Sequence, residues 1–194
     1  MQNVNTQLTP MNSGLKLSSY GSEPAPDTTL YRSIVGALQY ATITRPELSY
    51  CVNKVCQYMH SPLLSHWTAV KRILRYVVAG TLDYGLYIKP APDFALDVFC
   101  DVDWASDLDD RKSTTSYCVY FGGYDLLAAN PVLHARTKHS EIDLYFVRDK
   151  VLWQQIQVKH VPASAQLADF FTKHIVVARS MNSGPNSVFF LSPH

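Results

Sequence analysis

Asp97-Val-Phe-Cys-Asp101-Val-Asp103-Trp-Ala-Ser-Asp107-Leu-Asp109-Asp110-Arg-Lys-Ser-Thr-Thr-Ser-Tyr-Cys-Val-Tyr-Phe-Gly-Gly123 is the stretch on which the reading of this chain turns. An apolar period-two run, Leu96, Val98, Cys100 and Val102, predicts a strand that carries Asp101 and Asp103 to its end. A polar turn follows, and Tyr117 to Phe121 alternates again, so the pair reads as a hairpin. A carboxylate at the mouth of a strand suits a divalent cation, because backbone on one side is rigid and water reaches the other. Asp101 is therefore a candidate metal ligand. Asp103, Asp107, Asp109 and Asp110 lack the glycine and closing glutamate of a calcium loop and read as a solvated turn.

The 194 residues can bury one good core or two small ones, and 47% hydrophobic content with 12% aromatics is that of a globular protein. With 17 basic and 16 acidic residues the net charge is +1, so any nucleic-acid contact must come from local clusters. No apolar run approaches the roughly 18–20 residues that span a bilayer. Met1 to Thr9 lacks the basic start and apolar core of a secretory signal, which predicts an intracellular chain, in cytoplasm or nucleus. Cys51, Cys56, Cys100 and Cys118 sit in apolar periodic segments without zinc-ribbon spacing, and read as buried reduced thiols.

Residues 1–30, rich in Ser, Thr, Pro, Gly and Asn, read as an extended or poorly ordered lead-in. Tyr31 to Ala41 can begin a helix. Leu48, Val52, Val55 and Met59 form one helical stripe, and Trp67, Val70, Leu74 and Val77 form the next. Ser61-Pro62 is placed to open that second helix and Gly80 to close it, giving a helical hairpin. Thr81 to Lys89 and Gln155 to Val161 alternate as strands, Glu141 to Leu152 reads as a helix, and Ser164 is placed to cap a last helix, Ala165 to Lys173. Residues 174–194 show no period and read as a disordered tail.

The hairpin phrase resembles the opening of the ribonuclease H domain in copia-type retrotransposon Pol polyproteins. Tyr31-Arg-Ser-Ile-Val-Gly-Ala-Leu-Gln-Tyr40, Thr44-Arg-Pro-Glu47 and His66-Trp-Thr-Ala-Val-Lys-Arg-Ile-Leu-Arg-Tyr76 resemble the end of the reverse transcriptase in the same polyproteins. Asn130-Pro-Val-Leu-His-Ala-Arg-Thr-Lys-His139, Glu141-Ile-Asp143, His160-Val-Pro162 and Gln166-Leu-Ala-Asp-Phe-Phe-Thr-Lys173 are similar to the later part of the ribonuclease H domain. The resemblance implies an α/β chain: an incomplete ribonuclease H-like mixed sheet over 91–173, preceded by a reverse-transcriptase remnant with a helical hairpin over 31–90. The polymerase palm would lie before residue 1, so no polymerisation is expected of this chain.

The family's activity is Mg²⁺-dependent cleavage of the RNA strand in RNA–DNA hybrids by four acidic residues. Matched residue by residue, Asp101 corresponds to the first acid and Asp169 to the last, which makes both the candidate catalytic and metal-binding residues. After Phe121-Gly-Gly123 the phrases carrying the other two acids are missing. Asp125 lies too near Asn130 to replace one. The chain is thus read as internally deleted, without its third and fourth strands, with Mg²⁺ binding weak or lost and enzymatic activity not expected. The first strand, deprived of its parallel neighbour, must pair with Gln155–Val161, pair with another chain, or stay open, which makes self-association one expectation.

Arg136, Lys138 and His139 form a basic cluster able to contact phosphates of an RNA–DNA hybrid, and Lys71, Arg72 and Arg75 form a second. Trp67 and Trp104 read as packing residues rather than base-stacking platforms. The function expected from the sequence is that of a Pol-derived fragment that binds nucleic acid weakly and does not cleave it. The alternatives are cleavage at a site completed by a second chain, and a non-catalytic module that uses an exposed sheet edge.

Overall fold

The computed structural model describes residues 7–85, 96–103, 109, 111–121, 125–134, 147–162 and 166–173. Helix α1, Thr28–Ala41, opens on Asp27, whose side chain accepts the Leu30 amide at 2.8 Å. A 3-10 turn, Pro46–Leu48, leads into α2, Ser49–Cys56, and α3 runs Leu64–Gly80. Tyr31, Val35 and Leu38 of α1, Cys51, Val52 and Val55 of α2, and Ala69, Val70 and Ile73 of α3 close one apolar core. Inside it the Tyr31 hydroxyl donates to the Val55 carbonyl at 2.7 Å, so the buried phenol keeps a partner.

The buried face of α3 differs from the predicted stripe. His66, Ala69, Val70, Ile73 and Tyr76 are buried, whereas Trp67, Leu74 and Val77 only flank the core. The helix also starts two residues after Pro62 rather than on it. His66 sets this rotation: its ring stacks on Tyr58 at 3.9 Å, Nδ1 accepts the Leu63 amide at 3.0 Å, and Nε2 lies 3.0 Å from the Ser18 carbonyl. With Nδ1 accepting, the ring proton sits on Nε2 and donates to Ser18, and the neutral imidazole is fully satisfied. Burial accordingly holds the His66 pKa below its ordinary value.

The lead-in, read as extended or poorly ordered, is strapped along these helices from residue 7 onward. Met11, Leu17 and Ala25 are buried, and the Tyr58 hydroxyl donates to the Leu17 carbonyl at 2.9 Å. Leu64 and Ser65, at the start of α3, donate their amides to the Glu23 carbonyl and Ser22 Oγ, so the strap supplies the cap that the helix's own sequence lacks. A buried ion pair closes the module's other end. Arg45 Nε donates to Glu47 Oε1 at 2.5 Å, while its remaining nitrogens donate to the carbonyl and hydroxyl of Thr81 at 2.7 Å each.

Three strands follow: β1, Leu96–Asp103, β2, Ser113–Phe121, and β3, Asp125–His134. They form one antiparallel sheet in the order β1-β2-β3. The chain is thus of the α/β class, with two corrections to the expected sheet. A third strand is present at β3, although its local sequence does not match the family's phrase. Among the described residues β3 pairs only with β2, and an edge position is where a strand tolerates a proline such as Pro131; a bulge takes up one residue opposite Val119/Tyr120. Gln155–Val161, expected as a strand, is irregular and exposed, so the described sheet is antiparallel rather than mixed. Thr81 to Gly85 likewise forms a turn and no strand.

Helical backbone is described at 147–152 (α4), and the last helix, α5, is Asp169–Thr172, shorter than the predicted 165–173. The remainder of the predicted 81–89 strand (86–89), the start of the 141–152 helix, Ser164 and the tail 174–194 lie outside the described residues. Among the described residues no helix is long and apolar enough to cross a membrane.

Candidate functional site

Alternation along β1 presents Asp97, Phe99, Asp101 and Asp103 to one face, half-buried, and Leu96, Val98, Cys100 and Val102 to the other. The register sets Asp101 opposite Ser116, Phe99 opposite Cys118, and Asp97 opposite Tyr120. The apolar run that predicted the strand is its outward face: Leu96 is 62% exposed, Val98 54% and Val102 52%. The covered face is the polar one, because α5 lies on it. Ala168 and Phe171 pack on Cys118 and Tyr120, Phe99 meets Tyr120 edge-on at 5.7 Å, and Ser116 Oγ donates to the Ala168 carbonyl at 2.9 Å.

That docking brings the two sequence-predicted acids to a common point. Lys173 Nζ donates to Asp169 Oδ1 at 2.8 Å and stands 3.7 Å from Asp101 Oδ2. The longer distance is a Coulombic contact, beyond hydrogen-bond reach. The Thr172 hydroxyl donates to the same Asp101 oxygen. Asp169 is buried at 5% exposure, and Gln166 anchors the approach by donating to the Cys100 carbonyl at 3.1 Å. Thr172 and Lys173 belong to the closing motif, yet sequence reasoning gave neither a role. The signal for Lys173 was present, since Asp169 and Lys173 stand i,i+4 across α5, the spacing at which a lysine folds back on a carboxylate.

Other candidates fall elsewhere. Asp125 opens β3 opposite Phe121, while Asp101 shares its row with Ser116 and Pro131. Five residues of strand, roughly 17 Å, separate those rows, so Asp125 does not complete the site. Asp103 lies on the site's face, where its charge helps raise the Tyr50 pKa, secondary to burial of that phenol. Asp109, expected as solvated, accepts from Ser18 Oγ and the Ser19 amide at 2.7 Å each, and these bonds hold its pKa down. Arg136, Lys138, His139, Trp104, Asp107 and Asp110 lie outside the described residues. In the second basic cluster, Arg72 donates to Thr9 Oγ1 at 3.0 Å and Lys71 sits over the Trp67 ring, which itself packs against the core. All four cysteines are free thiols; Cys51 and Cys118 are buried as expected, whereas Cys56 is half-buried and Cys100 exposed, and burial pushes the Cys118 pKa up to about 12.

The donor set does not fit the metal that the resemblance implies. Mg²⁺ demands near-octahedral oxygen coordination, and a two-ion site demands carboxylates on both sides of the reacting phosphate. Here one oxygen of each aspartate already faces a cationic or hydroxyl donor. Among the described residues no group of three or more His, Cys, Asp or Glu side chains could hold a metal ion.

Over 223 aligned residues the chain is 36% identical to the retrovirus-related Pol polyprotein from transposon RE2 of Arabidopsis thaliana. It is 35% identical over the same length to that from transposon RE1 of the same plant. Each match covers 85% of this chain. The chain belongs to the copia-type, retrovirus-related Pol polyproteins of transposons. It spans 15% of the length of each of those two relatives. Since 85% of 194 residues is about 165, roughly 60 of the 223 aligned positions have no counterpart here, in keeping with an internal deletion in this Pol relative. An uncharacterized mitochondrial protein of Arabidopsis thaliana is 48% identical over 116 residues, 58% of this chain and 48% of its own length. No family model matches the chain. No solved structure matches it either.

Proposed function

We propose that this chain is a fragment of Pol comprising the end of the reverse transcriptase and a reduced ribonuclease H-like domain, catalytically silent and working inside the cell. Its remaining activity is weak, salt-sensitive contact with nucleic acid of the RNA–DNA hybrid type. One observation supports the reading: Asp101 and Asp169, matched to the first and last acids of the family, meet at Lys173, and among the described residues no further carboxylate joins them. Hydrolysis by two metals requires ions held roughly 3.5–4 Å apart between several acids. Loss of such groups costs orders of magnitude in rate.

The test is cleavage of a labelled RNA–DNA hybrid in Mg²⁺ or Mn²⁺, beside Asp101→Asn. No cleavage by a folded sample is expected. Cleavage abolished by Asp101→Asn overturns the reading and shows that acids of a second chain complete the site. Binding to the same hybrid is expected to weaken steeply with salt through Arg136, Lys138 and His139.

The outward apolar face of β1 favours a second reading, a non-catalytic module that self-associates through the open strand edge. Among the described residues β1 pairs only with β2. Association by edge pairing would persist in high salt and show as concentration-dependent sedimentation, which phosphate binding alone does not produce.

A further inference from the structure

We propose that Lys173 is the resident cation of the Asp101–Asp169 pair, and that its ammonium group keeps divalent metal out. This rests on the reading of a silent Pol-derived site and extends it to the cause of silence at the two surviving acids. The ammonium reaches Asp169 Oδ1 at 2.8 Å and Asp101 Oδ2 at 3.7 Å, so one positive charge serves both carboxylates. Thr172 takes a further lone pair of Asp101. One oxygen of each carboxylate is thus already engaged by donors carried on the same four-residue helix and its next residue.

Competition favours the tethered cation. Lys173 is one helical turn from Asp169, so its encounter with the pair is intramolecular and carries no translational cost. Its stem is half-exposed, with the side chain at 48% against 6% for Asp169, so the charge is delivered from solvent into a covered corner. A divalent ion would have to shed water, displace the ammonium and accept two acids in place of an octahedral set. Four acids carry enough negative charge to outbid one lysine. Two acids, half neutralised already, do not.

Mn²⁺ uptake by the full chain, read from loss of the free-ion paramagnetic resonance signal, tests this without any substrate. The wild-type chain is expected to take up no Mn²⁺ at sub-millimolar concentration. Lys173→Gln is expected to tighten uptake by at least about tenfold, and the double variant Lys173→Gln/Asp101→Asn to lose that gain. Lys173→Arg, which keeps the charge, is expected to exclude Mn²⁺ like the wild type. Sub-millimolar uptake by the wild type at these acids overturns the inference, and that arm does not depend on any variant folding. A folded Lys173→Gln chain that still takes up no Mn²⁺ overturns it as well. Uptake by the wild type without hybrid cleavage removes this inference and leaves the silent-fragment reading standing; cleavage by the wild type removes the reading itself.

Discussion

The helical module and the sheet solve the burial problem in opposite ways. In the helices the apolar residues go inside, and Tyr31, Val35, Leu48, Val55, Val70 and Ile73 are sealed from solvent. In β1 the more apolar face looks outward and the face carrying Asp97, Asp101 and Asp103 is covered by α5. Three helices and a strap bury one another's stripes with elements close in sequence. Among the described residues the three-stranded sheet is covered on one side, where α5 docks. The side chosen is the one on which Cys118, Tyr120, Phe171 and Ala168 interlock. The lesson is that a period-two apolar run identifies a strand, whereas the face that is buried depends on which partner element remains.

The largest test of this contrast lies at the buried ion pair. Among the described residues, Arg45→Ala leaves Glu47 buried with no counter-charge, and its Oε2 already has no hydrogen-bond partner there. Denaturant unfolding is expected to show a loss of about 3–5 kcal/mol. Burial raises the Glu47 pKa, with Arg45 opposing, so removal of the guanidinium raises it further.

Next comes the direct comparison of the two apolar sets. Ile73→Ala, in the helical core, is expected to cost about 2–5 kcal/mol. Val98→Ala, on the outward face, is expected to stay within about 0.5 kcal/mol. Equal losses in parallel urea melts would mean that both faces are covered, and the contrast would collapse.

His66 gives a pH signature confined to the helical half. Its folded pKa lies below the unfolded value near 6.5, mainly through burial. The unfolded chain therefore binds the extra proton first, so stability is complete above that pH and falls as pH drops toward the folded pKa. Protonation would also set an Nδ1 proton against the Leu63 amide, donor against donor. Thermal melts from pH 7.5 to 5.5 are expected to show a declining midpoint, and His66→Gln to flatten the decline over that window.

The smallest effect is at Gln154, which takes φ 57° at the end of α4, where the Gln155 amide donates back to the Lys150 carbonyl. A glycine adopts that left-handed position without steric cost, so Gln154→Gly is expected to stabilise the chain by up to about 1 kcal/mol in the same melts. A loss instead would show that the backbone there is held by other contacts.

Local signals in the sequence determined the helices, the hairpin and the family. The stripe through Val52 and Val55 and the alternation on either side of the Asp-rich turn each depend on residues a few positions apart. Other features were decided only by tertiary contact. His66 turned α3 because Ser18, 48 residues away, offered its ring a carbonyl. β3 formed against β2 although the sequence was read as lacking its third strand, since an available edge supplies hydrogen-bond partners that no local pattern encodes. Asp101 and Asp169 met because Phe171 and Ala168 docked on Cys118 and Tyr120. The charge between them was legible as an i,i+4 pair, but its reach to Asp101 required the sheet. Propensity and period act over a helical turn or a strand, whereas the burial of one face and the sharing of one lysine by two acids depend on segments that only folding brings together.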